Sequence, residues 1–329
     1  MAEWLVEEGI GEHRAIRLAP SPADGADIIA ARVDWPGALA PGQVEDAVLI
    51  ARTAGSRRGT LRFASGEEAL VDQLPRDAQE GAPLRALITR AAIGEAGRLK
   101  RAQARPTSAP PRPAPTLAER LRDEGHSVRV VRTFPVPGWD DLIAEATQGE
   151  VAFAGGGITI SPTPAMTVID IDGTLPPRAL ALAAIPAIAA AIRRFDLAGS
   201  IGIDFPTLSD KADRRAVDDA LAATLDDWPH ERTAMNGFGF VQIVARLERP
   251  SLVQRIARAP LSAAARLLLR RAERVEAPGT LLVVAHPSVE SAIAAQWRDA
   301  LARRSGRVLR WQADSTLAID GGFAQAVQS

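Results

Sequence analysis

A multidomain mixed α/β protein is predicted by three observations. Short β-like runs recur before residue 105, a proline-rich break spans Arg105 to Thr116, and helical and strand patterns alternate after it. The chain has 329 residues, room for roughly two to three domains with their own cores.

Before the break, EWLVEE, HRAIRLA, DIIAARV, VEDAVLIA, GTLRFAS, EALVDQL and LRALITRAA are separated by turn-forming residues. That spacing predicts small antiparallel sheets and a barrel. The break itself, RPTSAPPRPAPT, holds five prolines in twelve residues and is expected to supply neither a helix nor a central strand. After it, Thr116 caps a helix through Asp123, SVRVVRTF is a strand, and Trp139 to Thr147 is a helix. GITISPTPAMTVIDID forms a strand pair, Pro177 to Phe195 a helix, and GSIGIDF a buried strand. Lys211 to Leu225 is a helix and FGFVQIVARL a strand. A basic helix from Leu261 to Arg274 precedes a last strand-helix-strand unit from Thr280 to Ile319.

Composition excludes several function classes. Apolar residues make up 47% and charged residues 24%, which rules out wholesale disorder. Without cysteine, disulfides, thiolate zinc sites and cysteine nucleophiles are impossible. The N-terminal MAEWLVEEGIGEH has acids where a signal peptide needs a basic start. The longest apolar stretch, Ala179 to Ile192, is 14 residues long and broken by Pro186, too short to cross a bilayer. A soluble cytoplasmic protein with no membrane partner is expected. The formal charge is -1, but Lys100 and Lys211 are the only lysines. Arginine supplies the rest, which suits phosphate contacts and equally fits GC-rich codon usage.

The sharpest chemical feature is Ile169-Asp170-Ile171-Asp172. On a strand both isoleucines face one way and both aspartates the other. A second strand ends in Ile203-Asp204-Phe205, and acids near strand ends in α/β folds commonly meet at a shared site. Oxygen ligands without cysteine favour magnesium or manganese and no zinc. On spacing alone these aspartates equally fit turn caps or arginine partners. Positive charge gathers later: Arg246 to Arg274 holds eight arginines and two glutamates, a local charge of +6. Arg266, Arg270 and Arg274 recur at i, i+4, i+8, the spacing of a phosphate track on one helical face and also of an ordinary solvated face. Arg57, Arg58 and Arg62 form a smaller cluster.

The stretches GGGITISPTPAMTVIDID (Gly155 to Asp172), FDLAGSIGIDF (Phe195 to Phe205) and FGFVQIVARLERPSL (Phe238 to Leu252) resemble, in order and spacing, the catalytic core of the ribonuclease E/G family. Gly42 to Val71 resembles that family's S1 domain, an OB-type barrel, and VVAHPSVESAI onward resembles its terminal small domain. The resemblance implies an S1-like OB barrel (41–105) inserted into an RNase H-like region (1–40 and 117–160), with the proline-rich linker at 106–116. A DNase I-like catalytic region with the basic helix (161–275) and a small C-terminal α/β domain (276–329) would follow. It implies a magnesium-dependent endoribonuclease that hydrolyses single-stranded RNA in processing or decay and leaves 5′-phosphate and 3′-hydroxyl ends. Asp170 and Asp204 would be its catalytic metal ligands and Asp172 a further ligand. Arg193, Arg246, Arg266, Arg270, Arg274, Arg57, Arg58 and Arg62 are the candidate RNA contacts.

The departures define a compact variant. Asp172 stands in place of the family's asparagine, and Ala181 to Ala184 in place of its Asn-x-Glu-Ala. Gln242 and Val244-Ala245 replace a Glu and a (Thr/Ser)-Arg, with Arg246 adjacent and expected to reach the same space. Thr60 and Leu70 occupy positions where the family's barrel stacks bases on aromatics. The 5′-monophosphate sensor segment is missing between barrel and core, so cleavage is expected to ignore the 5′ end. A homodimer would have to be held without the cysteine-bearing zinc link. These losses leave open an RNA-binding relative that has lost cleavage or cleaves without metal.

Overall fold

The structure, a computed structural model, describes residues 3–19, 27–95 and 98–328; the outermost residues of the expected first and last segments lie outside that set. Strands β1 (Trp4–Gly9), β2 (Glu12–Leu18) and β3 (Ile28–Asp34) form an antiparallel meander. Their side chains alternate: Leu5, Ile16, Ala31 and Val33 join the largest core, while Trp4, Val6, Ala15 and Ala30 pack in a smaller one. The meander is therefore buried on both faces.

The chain then leaves this sheet for a closed barrel. Strands β4 (Val44–Arg52), β5 (Gly59–Phe63), β6 (Glu68–Val71) and β7 (Pro83–Arg90) are followed by a short ladder, β8 (Ile93–Glu95) and β9 (Arg98–Lys100), and by β10 (Ala102–Pro106). β10 closes the barrel by pairing parallel with β6 and antiparallel with β7. The proline-rich stretch thus contributes more than expected. Its first residues, Arg105 and Pro106, end β10, and Arg112 exchanges two backbone hydrogen bonds with Val44. Both prolines flanking Arg112 lack an N–H, so one isolated bridge is the pairing the segment allows.

Helix α1 (Leu117–Asp123) starts with a capping box between Thr116 and Glu119 and buries Leu117, Ala118 and Leu121 against the smaller core. Strand β11 (Val128–Val131) then returns to pair parallel with β1, giving the order β11-β1-β2-β3. The barrel is therefore an insertion between two strands of one sheet.

The remaining elements build a second sheet. Helix α2 (Trp139–Gln148), strands β12 (Glu150–Phe153), β13 (Gly156–Pro162) and β14 (Thr167–Gly173), helix α3 (Pro177–Arg194) and β15 (Gly199–Asp204) come first. Helix α4 (Lys211–Thr224), β16 (Glu231–Arg232) and β17 (Phe240–Ala245) complete it. The sheet order is β12-β13-β14-β15-β17-β16. Ile158, Ile160, Ile169, Ile171, Ile201, Ile203, Val241 and Ile243 are buried on one face with the apolar side of α3. The alternate residues, including Thr159, Ser161 and Val244, are exposed on the other. Pro186 sits inside α3 without ending it, because both flanks bury apolar side chains in the same core.

Helices α5 (Leu252–Arg258) and α6 (Pro260–Glu273) lead to β18 (Thr280–Ala285), α7 (Pro287–Ser291), α8 (Ala295–Ser305), β19 (Leu309–Ala313) and β20 (Phe323–Val327). The three strands form the sheet β19-β18-β20 over its own core. No helix among the described residues is long and apolar enough to cross a membrane.

Candidate active site on the open sheet face

Asp170 and Asp204 are direct register partners on the parallel strands β14 and β15. Neighbouring strands lie about 4.8 Å apart, and paired residues point to the same face, so the two carboxylates stand side by side. Their neighbours explain the placement. Ile169, Ile171 and Ile203 are buried on the opposite face, and a one-residue slip of either strand would drive an aspartate into that core. Both aspartates are exposed, Asp204 at the end of the otherwise largely buried β15. Asp170 Oδ1 accepts a hydrogen bond from the Ile171 backbone N–H (3.1 Å), and neither carboxylate has a salt-bridge partner among the described residues.

Asp172 shares this face, opposite Gly157 and two residues beyond Asp170, past the end of the β14–β15 pairing. The described residues contain no group of three or more histidine, aspartate or glutamate side chains drawn together as metal ligands. The donor set is the carboxylate pair of Asp170 and Asp204. That fits magnesium, which keeps several waters and binds through one or two carboxylates plus substrate phosphate.

The rest of the face is polar or thinly covered. Phe240 pairs with Asp204, and a side chain on Gly202 would collide with the Phe240 ring and the Met166 sulfur, so glycine lets the ring lie flat on the strand. Gln242 Nε2 donates to Ser200 Oγ (3.3 Å). Ala181, at the family's Asn position, is buried within the core on the apolar side of the sheet, behind the aspartates rather than beside them, and Ala183, at its Glu position, is half-buried on the same helix.

The arginines expected to join this site are dispersed. Arg246 follows β17 at the end where Ala245 pairs with Gly199, five residues from the Phe240–Asp204 pair. At 3.4 Å per residue that is about 17 Å along the strand, so Arg246 does not reach the aspartates and instead pairs with Glu248 (2.9 Å). Arg193, at the C-terminal end of α3, donates to Thr224 O (3.1 Å) and Asp227 Oδ1 (2.5 Å), fastening α3 to the end of α4. Arg193 and Arg246 do share a cleft of about 600 Å³ with Arg17, Arg32, His126 and Trp228. Within it, burial and Arg32, with Arg17, push the His126 imidazole below its ordinary value against the opposing pull of Glu124.

The phosphate track on the basic helix is also corrected. Arg266 is 6% and Arg270 1% exposed. Arg266 lies between Trp35 (4.0 Å) and Trp297 (4.5 Å), donates to Gly11 O (2.8 Å), and is pushed by burial down to about 10. Arg270 donates to Glu7 (3.0 Å) and Asp140 (3.3 Å), and Glu7 also pairs with the fully buried Arg14. Of the three, only Arg274 is exposed. Helix α6 buries side chains on all sides from Ala264 to Arg270, so the i, i+4 spacing aligns an internal seam.

On the barrel, Arg57 is committed to Leu74 O (2.7 Å) and Gln73 O (3.0 Å), and Arg62 to Glu68 (3.0 Å), while Arg58 is exposed. Thr60 and Leu70 are register partners on β5 and β6, with Leu70 exposed.

The ribonuclease E/G family model matches residues 119–246. The match runs from within α1 to the residue after β17 and takes in Asp170, Asp172, Asp204, Arg193 and Arg246. No curated protein matches the chain.

Proposed function

We propose that the chain is a magnesium-dependent endoribonuclease acting on single-stranded RNA, a reading supported by the match of residues 119–246 to the ribonuclease E/G family model. The observation that carries this reading is the register pairing of Asp170 with Asp204 on an exposed face, two unpaired carboxylates inside the matched segment. Like charges side by side are unfavourable, and a bound cation removes that cost. Asp170 and Asp204 hold the ion in this reading, and Asp172, two residues on, contributes through water or to a second position. Magnesium held there supplies polarisation of a phosphate oxygen and a lowered pKa for bound water.

The chain's own part is positional. The buried isoleucines fix the register that aligns the carboxylates, and the Phe240 ring over Gly202 keeps the face beside Asp204 low enough for a strand of RNA. We read the inserted barrel as the S1-like OB domain, the first sheet as RNase H-like and the second as DNase I-like. Arg58, Arg246 and Arg274, all exposed, are the remaining candidates for backbone phosphate contacts. Ala181, at the family's Asn position, is buried on the apolar side of the sheet, and Ala183, at its Glu position, is half-buried. The exposed, unpaired carboxylate pair is what favours cleavage over the alternative of a binding protein that has lost it.

The test is incubation of labelled single-stranded RNA with the protein in magnesium and then in EDTA, alongside Asp170→Asn and Asp204→Asn. Cleavage is expected in magnesium, none in EDTA, and a loss on the order of a hundredfold or more with either variant. Near wild-type turnover by either variant at saturating magnesium would remove the site.

A further inference from the structure

Among the described residues the most exposed large apolar side chain is Phe238, at 82%. A phenylalanine has no polar tip to justify such exposure, and this one is not on a loose loop. Asn236 Oδ1 accepts hydrogen bonds from the backbone N–H groups of Phe238 (2.9 Å) and Phe240 (3.1 Å). Gly239 stands at φ +94°, and a Cβ there would meet Phe205 O at 2.3 Å. The Phe205 N–H donates to Gly239 O (3.2 Å), and Thr207 Oγ1 donates to Phe238 O (3.4 Å). The turn is therefore clamped on both sides to the segment that follows Asp204, and it holds one aromatic ring out into solvent.

Its position gives the ring a use. Phe240 is the register partner of Asp204, so Phe238 stands two residues beyond it, past the end of the sheet where Asp204 closes β15 and the β14–β15 pairing stops at Asp170 and Asp204. An aromatic face stacks an unpaired base of any identity, whereas a base inside a duplex already has its faces covered. The adjacent carboxylate pair disfavours an acidic peptide as occupant. We propose that Phe238 is the platform for an unpaired nucleobase adjoining the phosphate engaged at Asp170 and Asp204, and that it supplies the preference for single-stranded RNA. This inference rests on the endoribonuclease reading above.

The experiment uses the full chain and a short RNA with one 2-aminopurine, single-stranded or annealed to its complement. Binding is measured in EDTA by anisotropy and by 2-aminopurine quenching, and cleavage is measured in magnesium. Phe238→Ala is expected to weaken single-strand binding about tenfold and to abolish quenching at one register of the label. Duplex binding and thermal stability should stay unchanged, and Phe238→Trp should restore affinity and quenching. Wild-type affinity and quenching in Phe238→Ala, or equal weakening for single strand and duplex, would overturn the assignment while leaving the nuclease reading intact. If the wild-type protein neither binds nor cuts RNA, the nuclease reading fails and this inference falls with it.

Discussion

The seam between the first sheet and α6 and the open face of the second sheet use the same charged residue types in opposite ways. In the seam, Glu7, Arg14 and Arg270 are buried, and every carboxylate oxygen of Glu7 has a donor: Arg14 and Arg270 for one, Arg270 and the Phe134 N–H for the other. On the open face Asp170 and Asp204 are exposed and have no cationic partner among the described residues. Buried charge must be paired where it lies, and exposed charge need not be. Paired charges in this molecule are architecture, and the unpaired pair is where an outside cation has something to gain.

The largest effect should come from the seam. Glu7→Gln leaves two buried guanidiniums without their shared carboxylate and should cost about 3–5 kcal/mol of stability, read as a lowered urea midpoint. A loss below about 1 kcal/mol would mean water reaches the seam, and the contrast with the open face would collapse. The next effect belongs to the face. Asp170→Asn or Asp204→Asn should lower magnesium-dependent cleavage on the order of a hundredfold or more, yet leave stability unchanged or raise it by about 0.2–1 kcal/mol by relieving like-charge repulsion. Destabilisation by either variant would show the aspartates to be structural.

How far the sequence reveals this division depends on how local the cause is. The capping box at Thr116, the proline opening α3 and the alternation in Ile169-Asp170-Ile171-Asp172 are local signals, and the helix, its start and the facing of the carboxylates all follow from them. The fate of Arg270 depends on Glu7, 263 residues away, and that of Arg266 on Gly11 and Trp35. Spacing along α6 cannot separate an internal seam from a phosphate track. One cue was present: Leu267-Leu268-Leu269 between the two arginines covers most of the helix circumference, which leaves little solvent-facing arc for a track. β10 was hidden because Pro106 ends it, and its partners β6 and β7 lie earlier in the chain. Phe238 lies inside a recognisable motif, but only its exposure beside Asp204 distinguishes it from a core aromatic.

A smaller effect separates Arg274 from its helical neighbours. Because it is exposed, Arg274→Ala should shift stability by no more than about 0.5 kcal/mol, whereas Arg270→Ala should destabilise strongly by leaving Glu7 underpaired in the core. If Arg274 touches an RNA phosphate, its loss should lower the log-log salt slope of RNA binding by about 0.7. An unchanged slope would remove α6 from the RNA surface altogether and leave Arg58 and Arg246 as the contacts to test.

The smallest effect tests whether the shared cleft obeys the rule of the seam. His126 faces Arg17 on β2, Arg32 on β3, Glu124 after α1 and the Trp4 ring on β1. Burial first, then Arg32 and Arg17, hold its imidazole below the ordinary value, and Glu124 opposes them. A basic group depressed in the folded state binds fewer protons there than in the unfolded chain. Its contribution to stability is therefore complete above the unfolded value of about 6.5 and is lost as pH falls below it through the folded value. Urea midpoints measured from pH 7.5 down to 5 should decline slightly more steeply for the wild-type protein than for His126→Gln, which cannot titrate. Parallel curves would show that burial and the two arginines do not outweigh Glu124 at the imidazole.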